Sequence, residues 1–220
     1  MTFVEVQRLY QNRFSERDRQ MKHQVWGVIV RSFFQKWIAP QQVVLDLGCG
    51  GGEFLTHIRC ARRIGVDVNP DASSSLDDTI EFHQSDIHNL SFLPGGSIDV
   101  VFTSNVIEHL PTKGDVEQVV LEVRRVLKAG GHFIVLGPNL RFLPGSYWDF
   151  WDHHTPITDR SLVELLKTLD FDIVNCYPKF LPYTTRSGLP QAPWLVWLYL
   201  KVPVAWRLLG KQFLIRAAKA

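Results

Sequence analysis

Residues 43–52, Val-Val-Leu-Asp-Leu-Gly-Cys-Gly-Gly-Gly, constrain the fold of this chain more than any other stretch. Val43, Val44, Leu45 and Leu47 form a short apolar run, the pattern of a strand buried in a parallel sheet. A glycine-rich bend follows at once. Glu53-Phe54-Leu55-Thr56-His57-Ile58 then reads as the opening turns of a helix. Strand, bend and helix start make a cradle for a nucleotide-type cofactor. Glycine takes φ > 0 and lets a ligand reach bare backbone, and a helix start offers unpaired N–H groups.

The spacing selects among cofactors. The glycines are Gly48, Gly50, Gly51 and Gly52, so the stretch reads G-x-G-x-G and not the dinucleotide fingerprint G-x-G-x-x-G. Asp46, two residues before the first glycine, would repel a pyrophosphate and could bind an ammonium group. No G-x-x-x-x-G-K-[ST] phosphate loop occurs, which argues against an NTPase. A second short strand, Arg63 to Asn69, carries Asp67 near its end. A carboxylate about 20 positions after a glycine loop suits a ribose diol, because it can accept from both hydroxyls. Ile80 to Ile87 supplies a third strand and a polar corner, with Asp86 placed to accept from an adenine amino group and Ile87 to lie against the ring.

Five pieces in order resemble the class I S-adenosylmethionine-dependent methyltransferases of small-molecule, biosynthetic type. They are Leu45 to Gly52, Gly65-Val66-Asp67, Ser85-Asp86-Ile87, Ser97 to Leu110, and Leu127 to Val135. The resemblance implies an α/β fold, a single Rossmann-like, doubly wound, seven-stranded, mostly parallel sheet with helices on both faces. It implies S-adenosylmethionine as cofactor, lying at the carboxyl ends of the strands. Asp46 and the backbone of Gly48 and Gly50 would hold the methionine end, Asp67 the ribose, and Asp86 and Ile87 the adenine. Asn105, just past the fourth strand, would line the methionine end and the acceptor entrance. Cys49, Val68 and Ser85 are counted with them as cofactor contacts.

Around that core the chain divides into an N-terminal helical lid (1–40), the cofactor-binding core (41–178), an apolar basic insertion (179–210) and a last strand (211–220). Trp26, Val30, Phe33, Phe34 and Trp37 recur at helical intervals before Pro40. That stripe reads as core-facing, with Tyr10, Arg13 or Phe14 as the alternative contribution to a lid over the cofactor. Val116, Val119, Val120, Val123 and Leu127 predict a helix ended by Gly130-Gly131. Another is expected over 161–169, and strands over 132–136, 171–177 and 212–217, the last antiparallel in the resembled family. The 70–79 segment is polar, a loop or one helical turn.

The insertion is the departure from the family pattern, which often joins the last two strands by a tight hairpin. Here the join holds Trp194, Trp197 and Trp206 among many aliphatics. So much apolar surface needs cover. It packs as a small helical subdomain, walls an apolar substrate pocket, or lies in a membrane interface, where Lys201 and Arg207 beside tryptophans fit.

Charge is unevenly spread. The net charge is +2, but residues 179–220 carry seven basic side chains and no acidic one, leaving 17 basic against 22 acidic residues before them. A basic apolar end on an acidic body points to lipid, an anionic substrate or a protein partner. Three cysteines show no metal or redox spacing, which suits a reducing cytoplasm. No secretory apolar core opens the chain, and no window reaches about 18 uninterrupted apolar residues. The expected location is cytoplasmic, with a membrane-peripheral face the variant to test.

Methyl transfer is an in-line displacement, so the protein supplies positioning, desolvation and sometimes a base. Histidine suits that base near neutral pH. The candidates are His109, in Asn105-Val106-Ile107-Glu108-His109, and His153 and His154, in the aromatic loop Tyr147 to Thr155. Each has a structural alternative, fixing a loop or capping the next helix. Glu108, Tyr147, Trp148 and Asp152 are expected to contact substrate. No dedicated carboxylate set marks a metal and none is expected, with Asp152, His153, His154 and Glu108 the donors of the alternative. The acceptor read from this pattern is a small molecule, on an oxygen of a natural product, sugar or lipid-linked intermediate. The alternatives are a tRNA or other nucleic acid, against which the acidic body stands, and a non-catalytic cofactor-binding scaffold.

Overall fold

The computed structural model describes residues 16–183 and 192–220. Six strands run parallel: β1 (Val43–Leu47), β2 (Arg62–Asp67), β3 (Ile80–Gln84), β4 (Ile98–Ser104), β5 (Leu127–Pro138) and β6 (Phe171–Tyr177). The seventh, β7 (Gln212–Lys219), is antiparallel to both its neighbours. The order in the single sheet is β3-β2-β1-β4-β5-β7-β6. The chain leaves β1 toward β3, then returns to place β4 on the other side of β1. That reversal opens a crevice at the strand carboxyl ends, the place where open α/β sheets bind ligands.

Side-chain alternation explains why both faces need cover. Leu45, Leu47, Val101, Phe133, Val135, Phe213 and Ile215 point into one apolar layer. Val44, Val100, Phe102, Ile134, Leu136 and Leu214 point into the other. Successive residues of a strand face opposite sides, so an apolar run fills two cores at once.

The first layer is closed by α2 (Lys113–Val126) and α3 (Asp159–Thr168), where α1 is the N-terminal helix Glu16–Ser32. Thr112 and Asp115 form a reciprocal capping box at the start of α2, and Thr158 and Ser161 one at the start of α3. Each satisfies amide donors that the first turn leaves open. The second layer is closed by α1, by Phe54, Leu55 and Ile58, and by the helices of the insertion. Val30 and Phe34 are fully buried, and Phe34 meets Phe102 of β4 with ring centroids 5.2 Å apart. The described part of the N-terminal segment is therefore a core layer. Tyr10, Arg13 and Phe14 lie outside the described residues.

Two readings need correction. The stretch after the glycines is not a helix. It makes two helical hydrogen bonds, Thr56 N to Gly52 O and Ile58 N to Phe54 O, and then turns away. Gln35 explains the stop: its Oε1 accepts from Arg59 N at 2.8 Å, and its amide donates to Arg59 O. Tertiary partners replace the bonds a longer helix would have made. The cradle therefore rests on bare glycine backbone, not on a helix N-terminus. The second correction is smaller. The 70–79 segment holds a 3-10 helix, Pro70–Ser75, opened by Asn69 accepting from Asp71 N.

The insertion forms two short helices, α4 (Pro193–Lys201) and α5 (Pro203–Leu209), each with a proline in its first turn. Trp206 packs against Phe33, Tyr177 and Phe180, and its Nε1–H donates to Tyr199 O at 2.9 Å. Leu200 is also buried. The opposite side of the pair is open, with Trp194, Trp197, Leu198, Val204, Leu208 and Leu209 exposed. No helix among the described residues is long and apolar enough to cross a membrane.

Candidate active site

The carboxyl ends of β1, β2 and β4 set the frame. Asp46 sits in register with Gly65 of β2 and Phe102 of β4, and its side chain is 3 % exposed. Burial first, then the charges of Glu53 and Asp67, hold its carboxyl well above the usual carboxylate range. Asp67 ends β2. Its Oδ2 accepts from Gly50 N and its Oδ1 from Asn69 N, both at 2.8 Å. One carboxylate thus ties the glycine bend to the second strand.

The bend itself needs glycine in two ways. Gly48, Gly50 and Gly52 have φ of 70°, 52° and 75°, values that side chains resist. A Cβ on Gly48 would also stand 2.4 Å from Val106 Cγ2, and one on Gly52 only 2.1 Å from Leu76 Cδ2. The contact at Gly48 shows that the bend touches the segment after β4.

That segment begins with Asn105 at φ 53°, a left-handed conformation its short polar side chain tolerates. The Asn105 Oδ1 atom is buried and takes no hydrogen bond. One 3-10 turn follows, Ile107–His109. Its Glu108 backbone oxygen accepts from His154 N at 2.9 Å and from Thr155 N at 3.1 Å. His109 Nδ1 lies 2.8 Å from Asp152 O and 3.3 Å from the Asp152 carboxylate. Thr155 Oγ1 donates to Leu110 O. The loop after β4 and the loop after β5 are stapled together.

The side chain of Glu108 is 1 % exposed, and neither carboxylate oxygen has a hydrogen-bond partner. Burial pushes its carboxyl up to about 7. Its Oε1 lies 4.0 Å from His109 Nε2. The rings of His109 and His153 are 4.9 Å apart, edge to face. His153 is 6 % exposed, stacked on Phe150 and edge-on to Tyr147.

Several expected residues fall elsewhere. His154 does not join this cluster by its side chain, which is exposed; its backbone makes the tie to Glu108. Tyr147 is fully buried, with its hydroxyl donating to Thr155 O and accepting from Ile157 N. It pins the loop from inside, so a substrate role would need this loop to move. Trp148 is half exposed. Asp86 is exposed and engages His88, both through the His88 backbone N–H and through the ring. Ile87 is buried, Ser85 bonds to Asn89 O, and Val68 is exposed beside Asp67. Cys49 is buried, and a Cβ on Gly65 would meet its sulfur at 2.9 Å, so the bend packs on the second strand at van der Waals limit.

Two features escape a reading of motifs. Lys22 of α1 reaches Glu53 at 2.7 Å, so the N-terminal helix ties onto the glycine bend. Asn139, fully buried after β5, donates to Asp159 Oδ1 at 2.7 Å and to Pro178 O, while Arg141 also clasps Asp159. That network fixes where the aromatic loop departs. Lone polar residues far apart in sequence give no local signal for either contact.

A doubly wound sheet with a glycine bend between one buried and one half-buried carboxylate has the form of an adenosyl-type cofactor-binding α/β domain. Residues 45–135 match the family model described as "Methyltransferase domain". Over that stretch the chain is similar to methyltransferase domains, and its sheet has the fold of solved S-adenosylmethionine-dependent methyltransferases. A protein of Mycolicibacterium smegmatis named "Probable S-adenosylmethionine-dependent methyltransferase" is 34% identical over 136 residues, covering 59% of this chain and 52% of that one. A sterol 24-C-methyltransferase of Gibberella zeae is 32% identical over 108 residues, covering 44% of this chain and 27% of its own length. This chain spans about half the length of the Mycolicibacterium relative, and less of the other. Among solved structures, a SAM-dependent methyltransferase from Archaeoglobus fulgidus superposes with a TM-score of 0.68 at 21% identity, covering 90% of this chain and 94% of that one.

Proposed function

We propose that this chain transfers a methyl group from S-adenosylmethionine to an oxygen of a small, apolar or lipid-linked acceptor. One observation carries the reading. The glycine bend, with Asp46 and Asp67 on either side of it, abuts the same post-β4 segment that holds Glu108 and His109. A cofactor cleft and a polar cluster able to handle a proton therefore share one wall.

The residues fit the cofactor. Bare backbone at Gly48 and Gly50 lets the methionine end approach, and Asp46 receives its ammonium. Asp67 turns from Gly50 N to the ribose hydroxyls. The unbonded Asn105 Oδ1 supplies an acceptor at the entrance. S-adenosylmethionine supplies the electrophilic methyl carbon. The chain supplies a dry wall and alignment, and His109 or His153 takes the acceptor's proton. Asp152 fixes the His109 ring from behind, leaving Nε2 toward the cluster.

The exposed faces of α4 and α5 support an apolar, lipid-associated acceptor. Trp194, Val204 and Leu208 are 66%, 65% and 75% exposed, and Lys201 sits over the Trp197 ring at 5.7 Å. Cations beside exposed tryptophans and aliphatics match an anionic lipid interface.

The test is a labelled-methyl transfer assay with full-length protein against lipid, aqueous and RNA fractions of a cell extract, alongside calorimetry with S-adenosylhomocysteine. Label in the organic fraction is the expected result. Label confined to RNA overturns the acceptor assignment, and no binding heat overturns the transferase reading. Sedimentation with phosphatidylglycerol vesicles, but not with phosphatidylcholine alone, is expected for the α4–α5 face.

A further inference from the structure

Sequence spacing offers no metal signature, because the donors come from two separate loops. The tertiary structure joins them. Glu108, His109 and His153 each bring one ligand-type atom, and the three atoms lie within 4.8 Å of one another. Two of the three side chains are more than nine-tenths buried. Oε1 of Glu108 faces His109 Nε2 at 4.0 Å, and both of its oxygens are buried without a hydrogen bond, a costly arrangement for an ionised carboxylate unless a cation meets it.

The outer contacts are those of a metal-binding histidine. Asp152 O can only accept, so the 2.8 Å contact puts the proton on His109 Nδ1. The Asp152 carboxylate reinforces it from 3.3 Å. The neutral ring then carries its lone pair on Nε2, the atom that faces Glu108 at 4.0 Å. A backbone carbonyl and a carboxylate behind the ring are the usual means of orienting a ligating imidazole. His153 is held by Phe150 and Tyr147 on its other sides.

We propose that Glu108, His109 and His153 bind one divalent first-row transition cation, zinc first, at the carboxyl end of β4. Two imidazoles and one carboxylate are a donor set that leaves coordination positions open in catalytic zinc sites. Bond lengths of about 2.0–2.2 Å require the donors to draw together by roughly an ångström. His109 stands on a single 3-10 turn, so a small shift of that turn suffices. With the cation bound, His109 and His153 serve as ligands in place of the base role given above, and the acceptor oxygen, acidified by the cation, loses its proton to solvent; that consequence rests on the transferase reading. The cation itself does not.

The experiment uses the full-length chain, stripped with chelator and titrated with zinc in a calorimeter, with the cobalt complex followed by visible absorption. One equivalent of zinc, a raised Tm and cobalt bands of a nitrogen–oxygen site are expected. Glu108→Gln, which keeps the shape and removes a buried charge, should weaken zinc more than tenfold, and His109→Gln likewise. His57→Gln serves as control, because His23 and His57 form a second imidazole pair and should not matter. No zinc or cobalt uptake overturns the proposal. So does uptake that survives Glu108→Gln or vanishes with His57→Gln. Titration with S-adenosylhomocysteine on the same samples separates the two claims: cofactor without metal sinks only this one, and metal without cofactor sinks only the transferase reading.

Discussion

In the proposed reading Asp67 serves structure and ligand together. Its two oxygens accept from Gly50 N and Asn69 N, so Asp67→Ala should release the bend as well as the ribose. Cofactor affinity should fall by more than about 1 kcal/mol, the scale of a charge-assisted hydrogen bond. Unchanged affinity in calorimetry would remove Asp67 from the site. Asp46 predicts a pH effect. Its carboxyl is raised in the free protein, first by burial, while an ammonium ligand favours the ionised form. Binding should therefore release protons, and affinity should rise with pH until Asp46 is ionised without ligand. Titration in buffers of different ionisation heat measures that release. Gly48→Ala should destabilise by about 1–3 kcal/mol, from overpacking against Val106 and a positive φ. Gly48→Ala with Val106→Ala should recover only the packing part.

At the scale of elements, the three tryptophans of the insertion divide: Trp206 packs on the core beside Phe180 and Leu200, and Trp194 and Trp197 are left open. Trp206 meets Phe33, Tyr177 and Phe180 edge to face. Trp206→Ala should cost about 3–5 kcal/mol in denaturant unfolding, the range for large core truncations. Trp194→Ala and Trp197→Ala should cost little stability, because both rings are exposed, and should instead reduce vesicle binding. If Trp206→Ala proves neutral, α4 and α5 are not anchored as the packing implies. The stapled loops after β4 and β5 carry the other element-level lesson. Glu108 O, Thr155 and Asp152 join them, so the cluster's geometry depends on backbone contacts as much as on the side chains that form it.

For the whole molecule, stability should depend on pH through two imidazoles held below their ordinary pKa. His57 is lowered by burial, then by His23, and His132 by burial, then by Arg216. The folded state thus binds these protons less readily than the unfolded chain. Their contribution is complete above about pH 6.5 and is lost as pH falls toward the folded-state values. His132→Gln should consequently lose less stability than the wild type between pH 7.5 and 5.5. Parallel losses in the two proteins would show that His132 does not contribute.

Much of this architecture was written in local pattern. The apolar run at 43–47, the Val116-Val119-Val120-Val123 stripe and the alternation along 171–177 announce their elements, because strand and helix periods are properties of neighbouring residues. Asp46, Asp67 and the glycines could be read for the same reason: the cradle is one strand, one bend and the next strand. Tertiary structure decided the rest. It ended the turn after Phe54 by bringing in Gln35, hid Tyr147, turned His154 outward, and set Lys22 against Glu53. It also made one cluster of Glu108, His109 and His153 from two loops. Contacts between distant segments depend on how covered layers stack, and no run of adjacent residues encodes that.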